Sequence, residues 1–273
     1  GLSTLIATWA QALAALLVVR HDHFYDRFAL RGHGLDRPHR ASLLALLRLG
    51  VPMGLTILIE VTAFAFMAIF IARLGATMVA GHQITANLVS VVFMMPLALS
   101  NATSTLVAQS IGAGRLRTAR RLGLHGLQVT LAMAALLGAL VFLLRGPIIG
   151  LYTRDAAVAA TAFSLLSWVV LFHLGDALQT LAQFVLRAWR ITVVSLIVFV
   201  LAMWGVGLGG GYLIAFDVLQ ITPPAWRGAT GFWMASTAGL WCAGLALTGF
   251  LLWMQRQRTH GLPDGDTAIR VAT

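Results

Sequence analysis

The chain has 273 residues, 59% of them hydrophobic and only 10% charged. A soluble domain of this size carries about 25% charged residues, so an ordinary water-soluble globular fold is excluded. The net charge of +10 comes from 19 arginines and no lysine. These sit at the ends of long uncharged runs rather than in a continuous basic stripe, which argues against a nucleic-acid partner and for a lipid bilayer.

In chain order the uncharged runs are Gly1–Val19, Leu49–Ala72 (apart from Glu60), Leu74–Gly114, Leu122–Leu144, Ala156–Leu186 (apart from Asp176), Ile191–Phe216 and Gly228–Gln255. A spanning helix needs about 20 mostly apolar residues, so each run reads as one span. The fold class is therefore all-α and integral to the membrane, with about seven transmembrane helices. The first run has no basic segment before it and no cleavage site after it, so it reads as a span, not a signal peptide. With Gly at position 1, the chain reads as the C-terminal part of something longer.

Between the spans, residues 21–42 form a mixed-charge linker whose four histidines match no common zinc spacing. Residues 43–255 hold six spans, and the polar stretch 256–273 reads as a disordered tail. Alternate loops carry fifteen arginines against four. By the positive-inside rule the C-terminus is cytoplasmic and Gly1 external, in the inner membrane of a cell. The single cysteine, Cys242, is expected to be a buried small hydrophobe and can form no internal disulfide.

Two charges lie deep inside apolar runs, Glu60 and Asp176. A carboxylate at bilayer depth is costly and normally marks an ion, proton or substrate path. At 1.5 Å per residue Glu60 is about 18 Å along its helix from Arg48 and about 20 Å from Arg73, and Asp176 is about 17 Å from Arg187. Met53, Ile57, Glu60, Phe64 and Met67 share one helical face. Phe and Met around an acid suit a cavity for lipophilic cations, although these two residue types fit contact with lipid or a neighbouring helix equally well. Asp176, Gln179 and Gln183 form a polar stripe expected to point into the bundle, with Phe172 one turn earlier. The glutamines suit a cavity or interhelical hydrogen bonds alike. On the third span Gln83, Asn87 and Asn101 fall on one face, with the same two readings open. Two midplane acids can take up protons or a cation as a pair. Pro52 and Pro96 interrupt their helices.

The stretch LGVPMGLTILIEVTAFAFMAIFIARLGATMVAGHQITANLVSVVFMMPLALSNATSTLVAQSIGAGR resembles the seventh and eighth helices of the MATE (multidrug and toxic-compound extrusion) transporters, NorM-type branch. Its most specific parts are Pro52 and Gly54 ahead of Glu60, Leu74–Gly75, Ala80–Gly81–His82–Gln83 with Asn87, Met95–Pro96 and Gly112–Ala113–Gly114. Gly175–Asp176–Ala177–Leu178–Gln179 with Leu186–Arg187 is similar to the tenth. The resemblance implies the last helix of an N-terminal lobe (residues 1–20) followed by a six-helix C-terminal lobe, with a separate N-terminal lobe as partner. It also implies exchange of sodium ions or protons for organic cations and drugs, with Glu60 and Asp176 as the coupling acids and Na+ ligands. In that reading Phe64, Gln83, Asn87, Phe172, Gln179 and Gln183 line the substrate cavity, and no cofactor beyond the coupling Na+ or H+ is involved. Two positions depart from the family pattern. Phe172 stands where sodium-coupled relatives often have Tyr, and Arg190 stands near where an Asp usually follows the tenth helix.

The competing readings are weaker. A lipid-linked oligosaccharide flippase of the same superfamily favours arginines at the midplane, and this chain has none there. A membrane-embedded enzyme lacks any HExxH or GxSxG seat for chemistry. A retinal protein needs a Schiff-base lysine.

Overall fold

The computed structural model describes residues 2–21 and 39–259. It is helical throughout the described spans, and two units separate within it, residues 1–46 and 47–273. The first unit contains α1 (Leu2–His21), apolar along its length, and the opening turns of α2 (Arg40–Ala72). The linker between them lies outside the described residues, apart from the helical ends at His21 and Arg40.

The second unit holds the rest of α2 followed by α3 (Ala76–Gly112), α4 (Leu116–Leu143), a short α5 (Arg145–Tyr152) and α6 (Ala156–Leu165). A 3-10 turn, Leu166–Trp168, joins α6 to α7 (Val169–Ala188). Then come α8 (Val193–Val200), a π-helix over Leu201–Gly210, α9 (Gly211–Ala215) and α10 (Ala229–Thr259). Counting α6 with α7 and α8 with α9, seven helical stretches among the described residues are long and apolar enough to cross a bilayer. These are the seven runs read from the sequence, and the chain is a multi-pass membrane protein. α10 continues through Arg256 and Arg258 to Thr259, so the tail assigned to 256–273 begins as helix; residues 260–273 lie outside the described set.

α7 is the centre of the unit. It packs against α3, α4 and α10, and fourteen of its twenty residues are buried. Two apolar clusters flank it. One gathers Ile71, Val89, Phe172, Phe232 and Trp233; the other gathers Val107, Leu181, Val185, Leu247 and Leu251 towards the arginine-rich end.

α2 is attached differently. Its backbone keeps its distance, and long side chains bridge the gap. Phe64 meets Phe172 edge to face at 6.3 Å, Phe66 meets Trp204 at 5.8 Å, and Phe70 meets Phe232 at 6.0 Å. Trp204 also donates to the Ile59 carbonyl at 3.2 Å.

The junctions follow local chemistry. After α3, Gly114 (φ 73°) is left-handed, and Arg115 N–H bonds back to the Ser110 carbonyl at 2.9 Å, the six-to-one bond of a Schellman cap. After α7 the same cap is closed by Arg190 (φ 60°), with Ile191 N–H on the Leu186 carbonyl. Asp155 caps α6 by accepting from the amides of Ala157 and Val158. Arg145 lies between the rings of Phe142 and Phe163, 4.1 and 4.0 Å from their centroids, and donates to Ser167 Oγ.

Where α10 crosses the π-helix the backbones nearly touch. A Cβ on Gly239 would stand 2.7 Å from the Ala202 carbonyl oxygen, closer than any real contact allows. Gly239→Ala is expected to destabilise the protein by about 1–3 kcal/mol, the usual cost of overpacking, read as a fall in the detergent unfolding midpoint.

The loop between α9 and α10 is held by one carboxylate. Asp217 (φ 50°) accepts from Thr222 N–H at 2.8 Å and pairs with Arg227 at 2.7 Å, while Arg227 Nε donates to the Thr222 carbonyl at 3.0 Å. The Thr222 amide, helped by the Arg227 guanidinium, holds the Asp217 carboxyl below the usual carboxylate range. A depressed folded pKa means the stabilisation is full above the ordinary Asp value, about pH 4. It is lost as pH falls through the folded value. Hydrogen-exchange protection of the Thr222 amide should therefore hold from neutrality to about pH 4 and decline below it, and Asp217→Asn should remove that step.

Candidate functional site

A cavity of about 340 Å³ opens within the second unit beneath α2, inside the 300–1,000 Å³ range of ligand pockets. Its walls come from every long element there except α4. α2 supplies Glu60 and Phe64, α3 supplies Val89, Ser90 and Phe93, and α7 supplies Phe172 and Asp176. Phe199, Met203, Trp233 and Leu240 complete it. The two acids read from the sequence thus face one void, and no arginine lines it.

Asp176 is only 7% exposed. The Thr180 hydroxyl, one turn on, donates to Gln179 Oε1 at 3.1 Å. Glu60, half-buried, is one turn beyond Thr56, whose hydroxyl is used on the Pro52 carbonyl at 2.8 Å. The proline removes one amide from the helix ladder, and the threonine caps the carbonyl beside it.

The aromatic wall is tied together. Phe172 bridges Phe64 and Trp233, with centroids 6.3 and 5.1 Å away. Behind it, Trp233 Nε1–H donates to His82 Nδ1 at 3.2 Å, and both residues are buried. That bond fixes the tautomer of His82, since an acceptor Nδ1 carries no proton. His173 is fully buried with neither ring nitrogen partnered.

Not every expected residue joins this cavity. Phe64 and Phe172 do. Gln83 and Asn87 lie one turn apart on α3 as the spacing requires, but both are exposed, and Asn87 Oδ1 accepts from the Tyr152 hydroxyl at 2.8 Å. The wall of α3 is instead Ala86, Val89, Ser90, Phe93 and Met94; positions 83 and 87 share a face with Ser90 and Met94 but lie two turns before them along the helix. Gln179 is buried but turned to Thr180, and Gln183 lines a separate small void near Arg187. The buried polar stripe on α7 is there, but only its acid reaches the cavity. Cys242 is exposed on α10, not buried as expected; its neighbour Ala243 takes the inward position.

Sequence reasoning missed Trp233, Phe199 and Met203. They lie on spans distant in the chain, and their apolar character is shared by every lipid-facing residue around them. The available signal was Trp233 itself, a large amphipathic ring in the first turns of its span.

Two carboxylates, five aromatic rings and no basic group make a site for positive charge. Cation–π attraction adds about 1–2 kcal/mol at a desolvated ring. Among the described residues no group of three His, Cys, Asp or Glu side chains could hold a metal ion.

The paired acids and the aromatic cavity thus sit within a fold of packed membrane helices. The chain belongs to the MatE family, whose model matches residues 52–213. It is 37% identical over 264 residues to a probable multidrug resistance protein NorM of Aromatoleum aromaticum, covering 96% of this chain and 56% of that protein. It is 40% identical over 261 residues to one of Chromobacterium violaceum, covering 95% and 55%. The chain therefore spans about half the length of these curated relatives. Among solved structures it is similar to the eukaryotic MATE transporter AtDTX14, with a TM-score of 0.79 at 20% identity, covering 93% of this chain and 56% of that one. It is also similar to an outward-facing multidrug resistance MATE family transporter of the MOP superfamily, with a TM-score of 0.76 at 17% identity, covering 91% and 55%. At these identities the structures speak for the fold alone.

Trp233→Phe should remove the donor to buried His82 and cost about 1–3 kcal/mol. The loss in the detergent unfolding midpoint should shrink in a His82→Leu background, where the pair is already broken.

Proposed function

We propose that this chain forms the C-terminal lobe of a cation-coupled multidrug antiporter. In this reading Na+ or H+ binds at Glu60 and Asp176, and organic cations are exported from the adjoining cavity. The observation that carries the reading is the shared void: both carboxylates open onto it beside Phe64, Phe172 and Trp233, with no arginine lining it. Binding the coupling ion neutralises the pair, and an organic cation competes for the same negative charge. A flippase for anionic lipid-linked sugars would need positive charge at that wall. The curated relatives carry multidrug resistance names, which agrees with the substrate class. Phe172, in place of an oxygen ligand, favours protons over sodium.

The arginine bias puts the C-terminus in the cytoplasm and the protein in an inner membrane, and the other wall of the cavity comes from an N-terminal lobe. With the N-terminal half supplied in cells, ethidium or norfloxacin export should fall about tenfold or more in Glu60→Gln and in Asp176→Asn, corresponding to about 1.4 kcal/mol of ion binding lost. Undiminished export in both at equal expression overturns the assignment. Export driven by an imposed pH gradient but not by a sodium gradient identifies the proton.

A further inference from the structure

A second void lies where α2, the end of α7 and the start of α8 converge, and it shares no lining residue with the acidic cavity. It is small, about 10 Å³, and is lined by Thr56, Gln183, Arg187, Thr192 and Ser195, with Met53 and Ile191. Two of its buried polar atoms have no partner. Gln183 Nε2 and Ser195 Oγ belong to side chains 8% and 2% exposed, and neither atom has a hydrogen-bond partner. The Arg187 guanidinium lies over the Phe184 ring at 4.3 Å and has no carboxylate at ion-pair distance among the described residues. Thr56 has already given its proton to the Pro52 carbonyl. The nearest acid, Glu60, acts on Arg187 through space but faces the other cavity.

A buried donor without an acceptor costs about 1–3 kcal/mol, and a guanidinium lining the same void favours a negative occupant. Here three donors, one of them charged, surround a single void lined by no carboxylate. We propose that Arg187, Gln183 and Ser195 form a binding site for one small inorganic anion, a halide such as chloride. A void this small has no room for phosphate, sulfate or carboxylates, which leaves a monatomic anion. The anion satisfies all three donors and balances the guanidinium without neutralising Glu60. The site stands on its own packing and does not depend on the antiport reading.

The test is 35Cl line broadening with the purified chain in detergent. The chain should broaden the chloride signal beyond the detergent blank, and bromide should reverse the broadening while gluconate does not. Arg187→Gln should abolish that excess, whereas Arg256→Gln, which removes an exposed arginine, should leave it unchanged. Ser195→Ala should keep the fold and raise the chloride concentration for half effect about tenfold, the loss of one charge-assisted bond. No excess over the blank, or an excess equal in Arg187→Gln and wild type, would mean the void holds only water and would overturn the proposal.

Discussion

Hydrocarbon offers no hydrogen bonds, and most of what is unusual here follows from that constraint. Every polar atom at depth must be satisfied by the protein or face a cavity. On α7 this sorts most side chains, His173 excepted. Asp176 opens to the acidic cavity, Thr180 donates to Gln179, and Gln183 and Arg187 share a smaller void. The helix is buried along most of its length, so its polar stripe cannot escape to water.

α7 and α2 divide the work of making a site. α7 is rigid because α3, α4 and α10 close on it, with Ser104 on α3 bonded to the Phe184 carbonyl and Trp241 on α10 bonded to the Leu171 carbonyl. It therefore fixes Asp176 in space. α2 stands off and brings Glu60 to the same void from the other side. The cavity exists because the two helices carrying the acids are kept apart by rings rather than drawn together by small residues.

The sequence made much of this legible. Seven spans followed from hydropathy because a bilayer demands uninterrupted apolar length, and Glu60 and Asp176 stood out because charge is so rare within those runs. The turns at Gly75 and Gly114 were marked by glycine, and both are left-handed in the structure (φ 107° and 73°). Other features left no trace. The 3-10 break at Leu166–Trp168 and the π-helix at Leu201–Gly210 change hydrogen-bond register without changing hydropathy. In a membrane helix apolar residues surround the whole circumference, so periodicity cannot tell the inward side from the lipid side. Cys242 turned out on an unexpected face for that reason, and Trp233 went unnoticed for the same one. Arg190 occupies a left-handed position that glycine would ordinarily signal.

The loose seating of α2 bears on how tolerant the cavity is of different occupants. Helices in close backbone contact, such as α10 on the π-helix at Gly239, move only as blocks. A helix suspended on ring edges is compliant: Phe64, Phe66 and Phe70 can each re-seat by rotating about two side-chain torsions. The chamber's girth is thus set by the posture of a few swivelling plates, and it can swell or narrow while the scaffold around it stays still.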